Sequence, residues 1–90
     1  MRYTVVWKPG GEEELASIWL AAKDRDAVTQ AAAAIDSLLR EDAPSKGESR
    51  FGNKRILLMP PLGIDFGVVE EDRTVYILTV WTFRPGKSSA

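Results

Sequence analysis

The strongest constraint on the fold is a change of hydrophobic period partway along the chain. Between residues 15 and 39 apolar side chains recur at helical spacing, whereas from Lys54 onward they recur at every second position. Leu15, Ile18, Trp19 and Ala22 fall at i, i+3, i+4 and i+7, one stripe on a helix of roughly three turns. In a second helix Val28, Ala31, Ala32, Ile35, Leu38 and Leu39 share a face, while Arg25, Gln30, Asp36, Ser37 and Arg40 point away. Asp24 or Asp26 can cap its start, and Ala43-Pro44 ends it because proline disfavours helical geometry in the residue before it. The two helices make an antiparallel hairpin.

The flanks of this hairpin read as strands. Tyr3, Val5 and Trp7 alternate with Thr4 and Val6, and Pro9-Gly10-Gly11 then reads as a turn. Glu12, Glu13 and Glu14 follow in the expected first helical turn, where unpaired N–H groups favour negative charge. After a polar loop over residues 45–53, strands are expected at 56–59, 64–69 and 74–83, with turns at Pro60-Pro61-Leu62-Gly63 and at Glu70-Glu71-Asp72-Arg73. The order β-α-α-β-β-β defines an α+β fold. Counting direction through the elements makes the first strand antiparallel to the second and the fourth, so a four-stranded antiparallel sheet is expected, with the helical hairpin on one face and the other face open. Residues 1–84 form one domain in this reading, and 85–90 a flexible tail.

Composition narrows the chemistry. The chain has 90 residues, 12 basic and 13 acidic side chains, net charge −1, no cysteine and no histidine. Disulfides, thiolate zinc sites and cysteine nucleophiles are thereby excluded, as are the usual neutral-pH base and the commonest metal ligand. No metal site and no nucleotide cofactor is expected, since the glycines lack phosphate-loop spacing. No apolar run is long enough to span a bilayer and the start does not read as a leader, which gives the expectation of a cytoplasmic protein without membrane partners.

Charge is unevenly distributed. Residues 10–42 carry eight acids and three bases, whereas Lys46, Arg50, Lys54 and Arg55 cluster against Glu48 alone. Such a cluster serves either as a phosphate-binding patch for RNA or as a solvated sheet edge. The last strand is apolar on both faces, and Trp81 with Phe83 is a candidate partner-binding pair. The alternative is that Trp81 packs on Trp7 or on the tail.

Several segments together resemble a known family. Tyr3-x-Val5-x-Trp7-x-Pro9, Glu14-Leu15-x-x-Ile18-Trp19, Asp24-Arg25-x-Ala27-Val28, Ile35-Asp36-x-Leu38-Leu39, Pro61-Leu62-Gly63-Ile64-x-Phe66-x-Val68 and Glu71-Asp72-Arg73-x-Val75 are similar in order to the RelE/ParE superfamily of bacterial toxins. The resemblance implies the toxin of a type II toxin-antitoxin pair, neutralised by a cognate antitoxin protein. It implies growth inhibition either by metal-independent endoribonuclease cleavage of ribosome-bound mRNA or by binding DNA gyrase; a diverged, non-toxic binding protein is the alternative. Under the nuclease reading, the family's basic residues on the second strand and its preceding loop correspond to Arg50, Lys54 and Arg55, with Arg84 near the terminus. Lys46 joins Arg50, Lys54 and Arg55 in the phosphate-binding set. Gly67 stands where active relatives usually carry an arginine or another polar group, and Thr79 where they often carry an arginine.

Overall fold

The computed structural model describes residues 2–83. Its elements run β1 (Thr4–Trp7), α1 (Pro9–Ala21), α2 (Arg25–Asp42), a 3-10 turn (Ala43–Ser45), β2 (Glu48–Phe51), β3 (Lys54–Met59), β4 (Leu62–Val69), a second 3-10 turn (Glu70–Asp72) and β5 (Thr74–Thr82). One five-stranded sheet has the order β1-β5-β4-β3-β2. β1 pairs with β5 in parallel, and the remaining neighbours are antiparallel.

Two expectations are corrected together here. The sheet has five strands rather than four, and it is mixed rather than antiparallel, because the polar stretch expected to be a loop contains β2. One added strand reverses the direction of every later one, so β5 runs with β1 instead of against it. β2 has no apolar alternation, and all four of its residues are exposed. It is a strand because a Gly52-Asn53 turn folds it onto β3, with Gly52 at φ 59° and the Asn53 side chain donating to the Val68 carbonyl at 2.9 Å. Arg50 is the extra residue where the β2–β3 register shifts, and such an irregular, charged edge discourages pairing with other chains.

The core lies between α2 and one face of the sheet. Val28, Ala31, Ile35 and Leu39 of α2 meet Val5, Leu62, Ile64, Phe66, Val68, Val75, Ile77 and Val80, all buried. Full burial of each large side chain here contributes about 1.5–3 kcal/mol. Asp24 caps α2, accepting from the Ala27 N–H at 3.0 Å.

α1 is placed differently from a simple core helix. It begins at Pro9, so Pro9-Gly10-Gly11 is its first turn rather than a separate turn. Proline fits there because the first N–H groups of a helix need no partner within it. A Cβ on Gly11 would lie 3.1 Å from the Ile77 carbonyl oxygen, so glycine lets the helix start directly against β5. β1 ends at Trp7, leaving the last part of β5 without a strand on that side, and α1 takes its place. The Glu14 carboxylate accepts from the Val80 N–H at 2.8 Å, a job that placing the three glutamates against the helix N-terminus did not foresee. Glu14→Ala is expected to cost about 1–3 kcal/mol by orphaning that donor. Glu14→Gln, which keeps an acceptor, should cost less, as urea unfolding midpoints will show.

Beside the sheet, Tyr3 ties the start of the chain to the second 3-10 turn. Its hydroxyl donates to both Glu70 carboxylate oxygens at 2.9 and 3.1 Å, and Arg73 stacks 5.6 Å from its ring. Burial, and then the hydrogen bond to Glu70, raise the phenol above its ordinary 10.0. The unfolded chain therefore ionises first, and this contribution to stability is intact below pH 10 and lost as pH rises through the folded value. Thermal melts across alkaline pH should show that loss in the native protein and its weakening in Tyr3→Phe.

Candidate nucleic-acid interface

Strand alternation and register assign side chains to the sheet face turned away from α2. β4 presents Gly63, Asp65 and Gly67 there, since Leu62, Ile64, Phe66 and Val68 point into the core. Cross-strand pairing then gives three rows. Lys54, Gly67, Tyr76 and Val6 form the first; Glu48, Ile56, Asp65 and Thr79 the second; Leu58, Gly63 and Trp81 the third. A register shift makes Leu78 an extra residue beside Thr79, and the extra residue widens β5 opposite Asp65.

This face has a low floor between raised walls. Two glycines flank Asp65 along β4, with Tyr76 and Trp81 on one side and Lys54, Ile56 and Leu58 on the other. The Lys8 ammonium lies 5.4 Å from the centre of the Tyr76 ring. Trp81 leans over Gly63, where an added Cβ would come within 2.5 Å of the indole Nε1. Phe51, 80% exposed, and Leu58, 52% exposed, extend the apolar surface toward the β2 edge. Asp65 Oδ1 is closed off from solvent, and no hydrogen-bond donor among the described residues reaches it.

The cations singled out in the sequence are not gathered at one point. Lys54 stands on the open face, and its neighbour Arg55 points to the helical side. Arg55 donates to the Lys46 and Gly47 carbonyls at 2.7 and 3.0 Å, and so clamps the approach to β2. Arg50 lies 3.4 Å from the Glu48 carboxylate, an exposed pair of little strength. Lys46 turns its backbone N–H to the Ala43 carbonyl and its carbonyl to Arg55. Arg84 and the tail at 85–90 lie outside the described residues.

The aromatic pair divides as well. Phe83 continues the ladder with its N–H on the Pro61 carbonyl and lines a cavity with Ile18, Ala22 and Pro60. Trp81 packs over Gly63 rather than on Trp7, whose indole N–H reaches Asp36 on the helical side at 3.2 Å. Lys8, Asp65 and Tyr76 were not among the candidates read from the sequence. The signal for Asp65 was present, since the alternation that buries Ile64 and Phe66 places an acid between two glycines on the outer face.

A second exposed apolar surface lies between the helices. Trp19, 39% exposed, and Leu20, 65% exposed, border a groove with Leu15, Ala16, Ala32 and Ala33, and Glu12 and Asp36 stand at its rim. A clasp ties the end of α1 to the start of α2 beside it. Arg25 stacks 4.7 Å from the Trp19 ring and donates to the Trp19 and Leu20 carbonyls, while the Trp19 indole donates to Thr29.

No protein-family model and no curated protein matches the sequence. Solved structures do match. A chain of the toxin-antitoxin complex RelBE2 from Mycobacterium tuberculosis is similar over 92% of this chain and 93% of its own, with a TM-score of 0.69 at 15% identity. A chain of a chromosomal ParDE toxin-antitoxin system from P. aeruginosa gives a TM-score of 0.70 at 16% identity, over 92% of this chain and 98% of that one. The isolated E. coli RelE toxin gives 0.66 at 11% identity, over 96% and 89%. The fold is that of RelE/ParE-type toxins.

Proposed function

We propose that this protein is the toxin of a toxin-antitoxin pair and that it arrests growth by engaging RNA on the open face of its sheet. The observation that carries the RNA part is the row Lys54, Gly67, Tyr76, with Lys8 over the tyrosine, on a face that also presents Trp81. Single-stranded RNA is held by this combination of cations for phosphate and aromatic faces for bases. Support for the toxin part comes from the fold, which is shared nearly end to end with the E. coli RelE toxin and with chains of two toxin-antitoxin systems.

Cleavage without a metal requires a group to take the ribose 2′-hydroxyl proton, positive charge on the phosphate, and a group to protonate the leaving oxygen. Lys54 supplies charge to the phosphate, with Arg50 released from its exposed pair with Glu48 to join it. Tyr76 stands two strands from Lys54, about 10 Å across the sheet, and its hydroxyl and the Asp65 carboxylate are the groups of proton-transfer type on this face. Arg55 acts by position, holding the loop that carries β2. Arg84, which lies outside the described residues, is a further phosphate contact in this proposal. The groove between the helices is the place for an antitoxin segment, since Leu20 and Trp19 are exposed there.

Binding to a protein target such as DNA gyrase is the second reading. It is favoured by the engagement of Arg50 and Arg55 within the chain, which draws two of the expected cations away from phosphate. Joint replacement of Arg50, Lys54 and Arg55 by alanine, with the retained fold checked by circular dichroism because Arg55 also clamps the loop before β2, separates the two. A nuclease should lose growth arrest by more than about tenfold in colony count, the scale of losing several charge-assisted contacts. A gyrase inhibitor should retain arrest and induce a DNA-damage response. A protein that never arrests growth would leave only the diverged, non-toxic binding protein.

A further inference from the structure

We infer that the groove between the helices takes an amphipathic helix of a partner protein, one that brings a lysine or arginine to Glu12. This rests on the reading of that groove as the place where a partner segment docks, and it names the chemistry of the segment. The groove encloses about 910 Å³, at the upper end of what ligand pockets hold, so it has room for a row of side chains. Leu20, 65% exposed, and Trp19, 39% exposed, both line it. Large apolar side chains left open side by side mark a surface that another apolar surface covers.

The lining decides the form of that cover. Apart from Trp7 the walls are helix, so the backbone N–H and C=O groups around the groove are satisfied within α1 and α2. An extended segment laid there would find no ladder to join and would hold its own backbone groups unpaired against apolar side chains. A helix satisfies its backbone within itself and needs only one apolar face. Ala16, Ala32 and Ala33 add little bulk to the lining, which lets a third helix approach to the usual packing distance of about 8–10 Å.

Charge then selects among helices. Residues 10–42 hold eight acids and three bases, and the bases are engaged or lie elsewhere. Arg40 pairs with Asp36, Arg25 lies against the Trp19 ring and two carbonyls, and Lys23 lines the cavity beside Phe83. Lys8, at the start of α1, reaches the Tyr76 ring instead. At the groove rim Asp36 is thus taken by Arg40 and by the Trp7 indole, whereas no donor among the described residues reaches the Glu12 carboxylate. A basic side chain of the partner pairs with it, and an acidic one would meet it as a like charge. Glu12 and Leu20 stand eight residues apart on α1, about 12 Å. A partner helix lying along α1 covers that distance in about two turns, so its base stands about seven or eight residues from the apolar side chain seated by Leu20.

The test reads the indole N–H resonances of the whole chain, whose three tryptophans report on two places. Trp7 and Trp19 line the groove, and Trp81 stands on the open sheet face. Two alanine-based helical peptides serve as probes, identical in their central leucines and carrying, about seven places to either side, lysine in one and glutamate in the other. Titrated at low salt, the lysine peptide should shift the Trp7 and Trp19 signals and leave Trp81 in place. It should bind about fivefold tighter than the glutamate peptide, the scale of an exposed ion pair. Glu12→Gln should make the two peptides bind alike. Leu20→Ala should weaken both about tenfold and keep the preference, since apolar burial is lost while the rim charge remains. Equal binding by the native chain, a preference for the glutamate peptide, or a lysine preference that survives Glu12→Gln overturns the role of Glu12 while the groove remains a docking place. No shift at Trp7 and Trp19 with either peptide overturns the docking reading itself. Trp7 and Trp19 signals that move with the concentration of the chain alone overturn the inference in favour of a second copy.

Discussion

Gly47→Ala is expected to destabilise the protein by about 2–4 kcal/mol and to loosen β2 before the rest of the sheet. Two independent costs meet at this residue. Its φ of 68° lies in the left-handed region, where a side chain costs about 1–2 kcal/mol. A Cβ there would also fall 2.2 Å from the Ile56 carbonyl oxygen, a backbone atom of β3 that can give way only by breaking the pairing of the hairpin. Overpacking of that kind adds about 1–3 kcal/mol. The Gly47 carbonyl accepts from Arg55 as well, so displacing the loop releases the guanidinium that clamps it. Hydrogen exchange should show the amides of residues 48–51 losing protection first, with a lower unfolding midpoint in urea. An unchanged midpoint would mean that β2 is not held on β3 as described.

Gly63→Val is expected to cost about 1–3 kcal/mol, and the cost should depend on Trp81. The glycine is buried under the indole, and a Cβ would stand 2.5 to 2.9 Å from three atoms of that ring. The ring has to leave. In a Trp81→Ala background those three contacts are gone, and valine's preference for strands then favours the substitution. The double-mutant cycle should therefore show a coupling of about 0.5–3 kcal/mol, measured by chemical unfolding. Additive effects would place Trp81 elsewhere than over Gly63.

Much of the architecture was legible because period is a direct consequence of burial. Val28, Ala31, Ile35 and Leu39 could be read as the inner face of α2, and Ile64, Phe66 and Val68 as the inner face of β4, since each set must reach one core. β2 was illegible by the same test. Its residues Glu48–Phe51 bury nothing, so no periodicity marks them, and the strand exists through backbone pairing and a turn. The Gly52-Asn53 pair carried that signal, and passing over it reversed the inferred direction of β5 relative to β1. Gly11 misled for a related reason, because its glycine serves close approach to β5 rather than chain reversal.

The site divides along the same line. Lys54 was read as a candidate phosphate contact and Trp81, with Phe83, as a candidate partner contact, while the separation of Lys54 from Arg55 follows from strand alternation once β3 is known to begin at Lys54. Asp65 was legible as an outer-face residue, because the alternation that buries Ile64 and Phe66 turns it away from the core. That no donor among the described residues reaches its Oδ1 is a fact of packing that no spacing in the chain encodes.

The central claim is that the open sheet face acts on RNA to stop growth. Pulsed induction of this chain in bacteria, followed by mapping of transcript ends within minutes, tests it most directly. The account predicts arrest with cuts confined to translated regions and in phase with codons, and relief when the Arg50, Lys54 and Arg55 positions are all alanine. Arrest with intact transcripts would contradict it.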